Sequence, residues 1–140
     1  MTTPTWRWIK ESSTLAIHEE QIAEHGGLNG VRDLALLLSA LARPRNLEAY
    51  GNPDLADLAA AYAMGLARNH PFFDGNKRTA WVVAETFLLK NGYELIASDR
   101  DGVATMLAVT DGSMSEPELA LWLRTYIRPL PSQLVNSLTR

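Results

Sequence analysis

The 140-residue chain has no cysteine. Disulfides, thiolate metal sites and cysteine nucleophiles are therefore excluded. It also lacks an excess of positive charge: 13 Lys and Arg stand against 16 Asp and Glu, a formal net charge of −3. A nucleic-acid partner usually calls for a basic face, so none is expected. No apolar run approaches the roughly 20 residues that cross a bilayer. The opening MTTPTWRWIKESS has no apolar stretch of the kind that directs secretion. These absences predict a cytoplasmic protein with no membrane partner. What is present, 46% hydrophobic and 21% charged residues, suits one globular domain with one core.

Helical periodicity dominates. LAIHEEQIAEH reads as a first helix capped by Ser13 or Thr14 and stopped by Gly26 and Gly27. Asp33 or a neighbour opens a second, DLALLLSALAR, which should end at Arg43 because the residue before Pro44 avoids helical angles. Residues 44–53, PRNLEAYGNP, read as an exposed loop. Asp54 begins a third helix, whose alanines and Gly65 imply close approach to a neighbour. Residues 79–90 are apolar on nearly every face, as in a helix at the centre of a bundle. YELIAS is short and β-prone and could pair with TWRWI. Further helices are expected over residues 101–109 and from Ser115, which forms a capping box with Glu118. The expected architecture is all-α: about six helices around a central apolar helix, with a short β pairing conceivable. Residues 1–128 form one domain and 129–140 a loosely held tail.

Polar chemistry is concentrated in HPFFDGNKRTA, residues 70–80, just before the apolar helix. A helix N-terminus offers unpaired N–H groups and the positive end of a dipole. Gly75 admits unusual backbone angles and a close ligand. Asn76 either caps the helix or points its amide outward, and Lys77 and Arg78 add full positive charge. Together these suit a polyphosphate. Asp74 fits such a site through a bridging Mg²⁺, which takes one or two carboxylates plus substrate oxygens. His70, at the end of the preceding helix, can take a proton from a hydroxyl. These are the parts that phosphoryl or nucleotidyl transfer requires. Singly, each has a plainer use: His70 as a helix C-cap, Asp74 or Asn76 as an N-cap, Lys77 and Arg78 as solvated charge. Their joint order and spacing favours a site. His18 and His25 read as surface residues.

HPFFDGNKR resembles the signature of the Fic/Doc family: histidine, any residue, phenylalanine, any residue, an acid, a small residue, asparagine, a variable position and arginine. The NKRTA continuation is similar to the Doc branch, the death-on-curing toxins. IHEEQIAEHGGLNGVRD, the ARNH lead-in and FLLKNGYEL extend the likeness to about residues 9–127. The resemblance implies a Fic-like helical fold and transfer of the γ-phosphate of ATP to a threonine of elongation factor Tu, arresting translation. His70 would be the general base and Asp74 the Mg²⁺ ligand. Gly75, Asn76, Lys77 and Arg78 would hold the phosphates. Residues 44–52 would form the family's flap, which aligns the target. Lys77 replaces a glycine, and Trp81 an arginine, of the adenylyl-transferring members, which favours phosphate over AMP transfer. Pro71 and Gly75 are closer to those members, so AMP transfer remains an alternative, as does a non-catalytic anion-binding adaptor. No glutamate is followed by Gly or Asn, the family's internal brake. The resemblance then implies a separate Phd-like antitoxin.

Overall fold

The computed structural model describes residues 5–131. Its elements run α1 (Glu11–His25), α2 (Leu34–Tyr50), α3 (Leu55–Asn69), α4 (Asn76–Lys90), β1 (Tyr93–Leu95), α5 (Asp99–Asp111), α6 (Glu116–Tyr126) and β2 (Ile127–Pro129). The all-α architecture expected from periodicity is the one observed.

The most enclosed helix is α3. From Leu55 to Ala67 every residue but Asp57 is buried. Its alanines leave so little side chain that α2 lies nearly backbone to backbone: a Cβ on Gly65 would stand 3.1 Å from the Ala40 Cα. An Asp54–Asp57 capping box opens α3. α4 lies along it, burying Trp81, Val83, Ala84, Phe87 and Leu88, while Val82, Glu85 and Leu89 keep partial exposure. The apolar helix after the motif is thus inner but shares the centre with α3.

Several boundaries differ from expectation. α2 does not stop at Arg43; it runs through Pro44 to Tyr50. Leu37, Ala40 and Pro44 recur at helical spacing and are all buried. Their burial outweighs the missing N–H and the strain that proline imposes on Arg43. The expected exposed loop at 44–53 is therefore mostly helix. α1 starts before Ser13, at Glu11, with Lys10 as an N-cap that makes no side-chain bond. Thr14 is inside the helix, buried, its hydroxyl donating to the Lys10 carbonyl.

β1 pairs antiparallel with β2, Glu94 opposite Arg128, and not with TWRWI. That N-terminal segment is fixed instead by single bonds from its backbone. Ile9 N–H donates to the Tyr62 hydroxyl, and Asn91 bridges the N–H and C=O of Arg7. Ser98 caps α5, and Ser115 with Glu118 forms the expected capping box on α6. The chain stays attached past Pro129, with Leu130 buried and its N–H donating to the Gly92 carbonyl. Residues 132–140 of the expected tail lie outside the described residues. Among the described residues, no helix is long and apolar enough to cross a membrane.

Candidate functional site: the tip of the fourth helix

The link from α3 to α4 is residues 70–75. His70 ends α3 in the left-handed conformation (φ 54°, ψ 52°), the sole non-glycine with positive φ among the described residues. The turn is fixed from outside by Arg32, whose Nε donates to the His70 carbonyl (2.8 Å) and Nη2 to that of Asn69 (3.1 Å). The Pro71 carbonyl accepts from the N–H groups of Arg32 (2.7 Å) and Asp33 (3.0 Å). Phe72 is fully buried and forms an antiparallel bridge with Val31.

Asn76 turns inward. Its side-chain oxygen accepts from Phe72 N–H (2.9 Å) and its amide donates to Phe72 C=O (3.0 Å). It neither caps α4 nor points outward, and its amide is not presented as a phosphate ligand. It is a brace for the Phe72 backbone. The N-cap is Gly75, in the left-handed region at φ 78° with no side-chain cap. A Cβ there would meet Ile22 Cδ1 at 3.2 Å and the His18 ring at 3.7 Å. The first N–H groups of α4, which no helix can satisfy itself, thus receive no bond from the N-cap side chain.

His18 was expected on the surface but is 2% exposed. Its ring stacks on Phe72 at 3.7 Å between centroids, 6° from parallel. Its Nε2 bonds the Asp74 carbonyl at 2.8 Å. A carbonyl can only accept, so Nε2 carries the proton. The signal was in the spacing: Thr14, His18 and Ile22 fall four apart on one face of α1. Asp74, itself exposed, turns its carboxylate toward the loop after α1, where one oxygen accepts from Leu28 N–H. Gly27 makes room, since a Cβ on it would lie 3.0 Å from Asp74 Cβ.

These contacts enclose a cleft of about 420 Å³, lined by Gln21, His25, Gly26, Gly27, Asp74, Gly75, Asn76, Lys77, Arg78 and Val103. Asp74, Gly75, Asn76, Lys77 and Arg78 all lie in its wall, Asn76 with its side-chain amide bonded to Phe72. Gln21, His25 and Val103 were not foreseen; His25 lies 3.5 Å from an Arg78 nitrogen. His70 is exposed and is not part of this wall. The residues expected to form a flap are mostly the end of α2, with Tyr50 91% exposed; they lie beside Ala61 and Glu116, away from this cleft, and not as a loop that could clamp a strand there.

The cleft fits a polyphosphate with one bridging cation. Gly75 leaves the helix tip bare, two cations stand beside it, and one carboxylate is at hand. Among the described residues no three His, Cys, Asp or Glu side chains converge on a metal site. A cation here would draw on Asp74 and otherwise on oxygens of a ligand or water, the habit of Mg²⁺.

The fold and this loop define an all-helical protein with a polar cleft at the tip of its fourth helix. The profile of the Fic/DOC family matches residues 8–88, which include the whole motif. The chain belongs to the Fic/DOC family. It is 53% identical over 76 residues to "Toxin Doc" of Mycolicibacterium smegmatis, covering 51% of this chain and 57% of that protein. It is 34% identical over 119 residues to "Protein kinase doc" of Escherichia phage P1, covering 84% of this chain and 94% of that one.

Proposed function

We propose that this protein is a toxin of the Doc kind, a phosphotransferase that moves the γ-phosphate of ATP to a threonine hydroxyl of elongation factor Tu and so halts protein synthesis. The names of its two relatives support the toxin and kinase elements of this reading. The observation that carries it is the arrangement at the tip of α4, where Asp74, glycine-capped N–H groups, Lys77 and Arg78 line one cleft.

In this reading the phosphates of ATP lie against the backbone N–H groups of residues 75–77, with Lys77 and Arg78 offsetting their charge. Asp74 would hold Mg²⁺, which when bound would offset charge on the transferring phosphoryl group. His70 takes the proton of the threonine hydroxyl as its oxygen attacks the γ-phosphorus, and the bond to the β-phosphate oxygen breaks to release ADP. Arg32 holds the backbone at His70 and so fixes the turn that carries the imidazole. A Phd-like antitoxin would restrain the toxin in the cytoplasm, since the chain carries no internal glutamate brake.

Incubation with Mg²⁺ and either γ- or α-labelled ATP distinguishes the readings. Label from the γ position alone on elongation factor Tu is expected; label from the α position would make the protein an adenylyl transferase. His70→Ala should lower transfer at least ~100-fold with an unchanged melting temperature. A cellular effect that survives this substitution would instead indicate an anion-binding adaptor.

A further inference from the structure

The hydrogen-bond ladder of α4 begins at the Gly75 carbonyl, which accepts from Thr79 N–H at 2.9 Å. The Asp74 carbonyl, one residue earlier, takes no backbone N–H among the described residues. It accepts instead from a different helix, through the buried His18 Nε2 at 2.8 Å. That donor is itself held. Its ring stacks on Phe72, and the N–H and C=O of Phe72 are both bonded to the Asn76 side chain. His18, Phe72, Asn76 and Asp74 thus close a ring of contacts around Gly75.

The consequence follows from covalent geometry. In a planar trans peptide the C=O and the N–H point in opposite directions, and every peptide bond among the described residues is trans. With the Asp74 carbonyl aimed at His18, the N–H of Gly75 is directed away from it, at a residue that lines the cleft. Among the described residues this N–H has no hydrogen-bond partner. Half a turn of the same peptide would reverse the pair and aim the carbonyl oxygen away from His18. It would move Gly75 φ from 78° to about −100°, which the backbone of glycine accepts freely. Glycine therefore does not choose between the two orientations. The bond from His18 does, because without it the carbonyl faces a buried side chain with no donor.

We propose that His18 is a positioning residue for phosphate binding: its Nε2–H holds the Asp74–Gly75 peptide in the orientation that offers the Gly75 N–H to an anion. This rests on the proposed use of the cleft for nucleotide phosphates and adds what keeps the cleft able to take them. His18 does not line the cleft and touches no phosphate; it acts through one peptide plane. The phosphate cradle is then completed by α1, 56 residues before Asp74, and not by the motif alone.

The test compares two substitutions with opposite defects. His18→Phe keeps a flat ring against Phe72 and removes the donor; His18→Gln removes the ring and keeps an N–H at similar reach. In calorimetric titration with ADP and Mg²⁺, His18→Phe is expected to bind at least about tenfold more weakly than His18→Gln. A role in packing alone predicts the reverse order, so a smaller gap or the reverse order would overturn the proposal. A crystal structure of His18→Phe reads the peptide directly. An Asp74–Gly75 peptide that is turned, or present in both orientations, supports the proposal; an Asp74 carbonyl still aimed at residue 18 overturns it. If wild type binds no ADP, the proposed function has failed, and that structure still judges the peptide. If His18→Phe does not fold, hydrogen exchange of the wild-type Gly75 amide decides. Exchange within about tenfold of the free-peptide rate is expected of an N–H directed outward, and protection equal to that of the α3 amides would overturn the proposal.

Discussion

Glu85 lies midway along α4, half-enclosed with Gln21, Glu24, His25, Arg78, Trp81 and Asp99 around a pocket of about 200 Å³ next to the cleft. Burial, and then the nearby charge of Asp99, push its carboxyl up to about 7 from an ordinary 4.5. The folded state thus keeps a proton that the unfolded chain releases. Stability falls as pH rises from about 4.5 to 7 and stays lower above that. Glu85→Gln should raise the melting temperature at pH 8, by the equivalent of about 1–2 kcal/mol, and change nothing at pH 4. A gain equal at both values would refute this assignment. The same scale shows what sequence reading reaches. Asp74, Gly75, Lys77 and Arg78 were legible because a turn before a helix exposes its polar groups whatever the tertiary packing. The inward rotation of Asn76 and the burial of His18 depend on Phe72 filling the space between them, and no local pattern states which way that ring points.

Among the elements, α4 and α5 approach most closely where Trp81 faces Gly102. A Cβ on Gly102 would stand 2.1 Å from Trp81 Cε2. The indole is 2% exposed and its Nε1 donates to Asp99 at 3.4 Å, so it has nowhere to move. Gly102→Ala should lower stability by about 3 kcal/mol or more in urea unfolding, beyond the usual range of a mild overpacking change. Adding Trp81→Leu should recover part of the loss, and strict additivity of the two changes would show that they do not share this contact. Helix number and type could be read from apolar spacing. The extent of α2 could not, because Pro44 signals a stop locally, and the reason it does not stop is α3 beneath it. The short sheet was misassigned for a similar reason: YELIAS is β-prone, but its partner is set by where α6 delivers the chain.

Across the whole molecule, Arg124 near the end of α6 clasps the start of α3, donating to Asp54 at 2.8 and 3.0 Å and to Asp57 at 3.1 Å. Chiefly through this bond, the Asp54 carboxyl is lowered from 3.8 to about 2. A depressed carboxylate stabilises the fold above its unfolded value and stops doing so as pH falls through its folded value. That stabilisation is therefore full above about pH 4 and lost toward pH 2. The pair is exposed and screened by salt, so Arg124→Ala should cost less than about 1 kcal/mol at pH 7. It should also flatten the acid limb of a melting-temperature profile between pH 4 and 2. An unchanged profile would remove the clasp from the account. Meanwhile β2 returns the chain to β1, just beyond the end of α4 opposite the cleft. With 15 residues at about 1.5 Å each, that helix separates the two ends by roughly 22 Å. A reporter fused after Pro131 is thereby anchored at the far pole, a helix length from the cleft at the tip of α4.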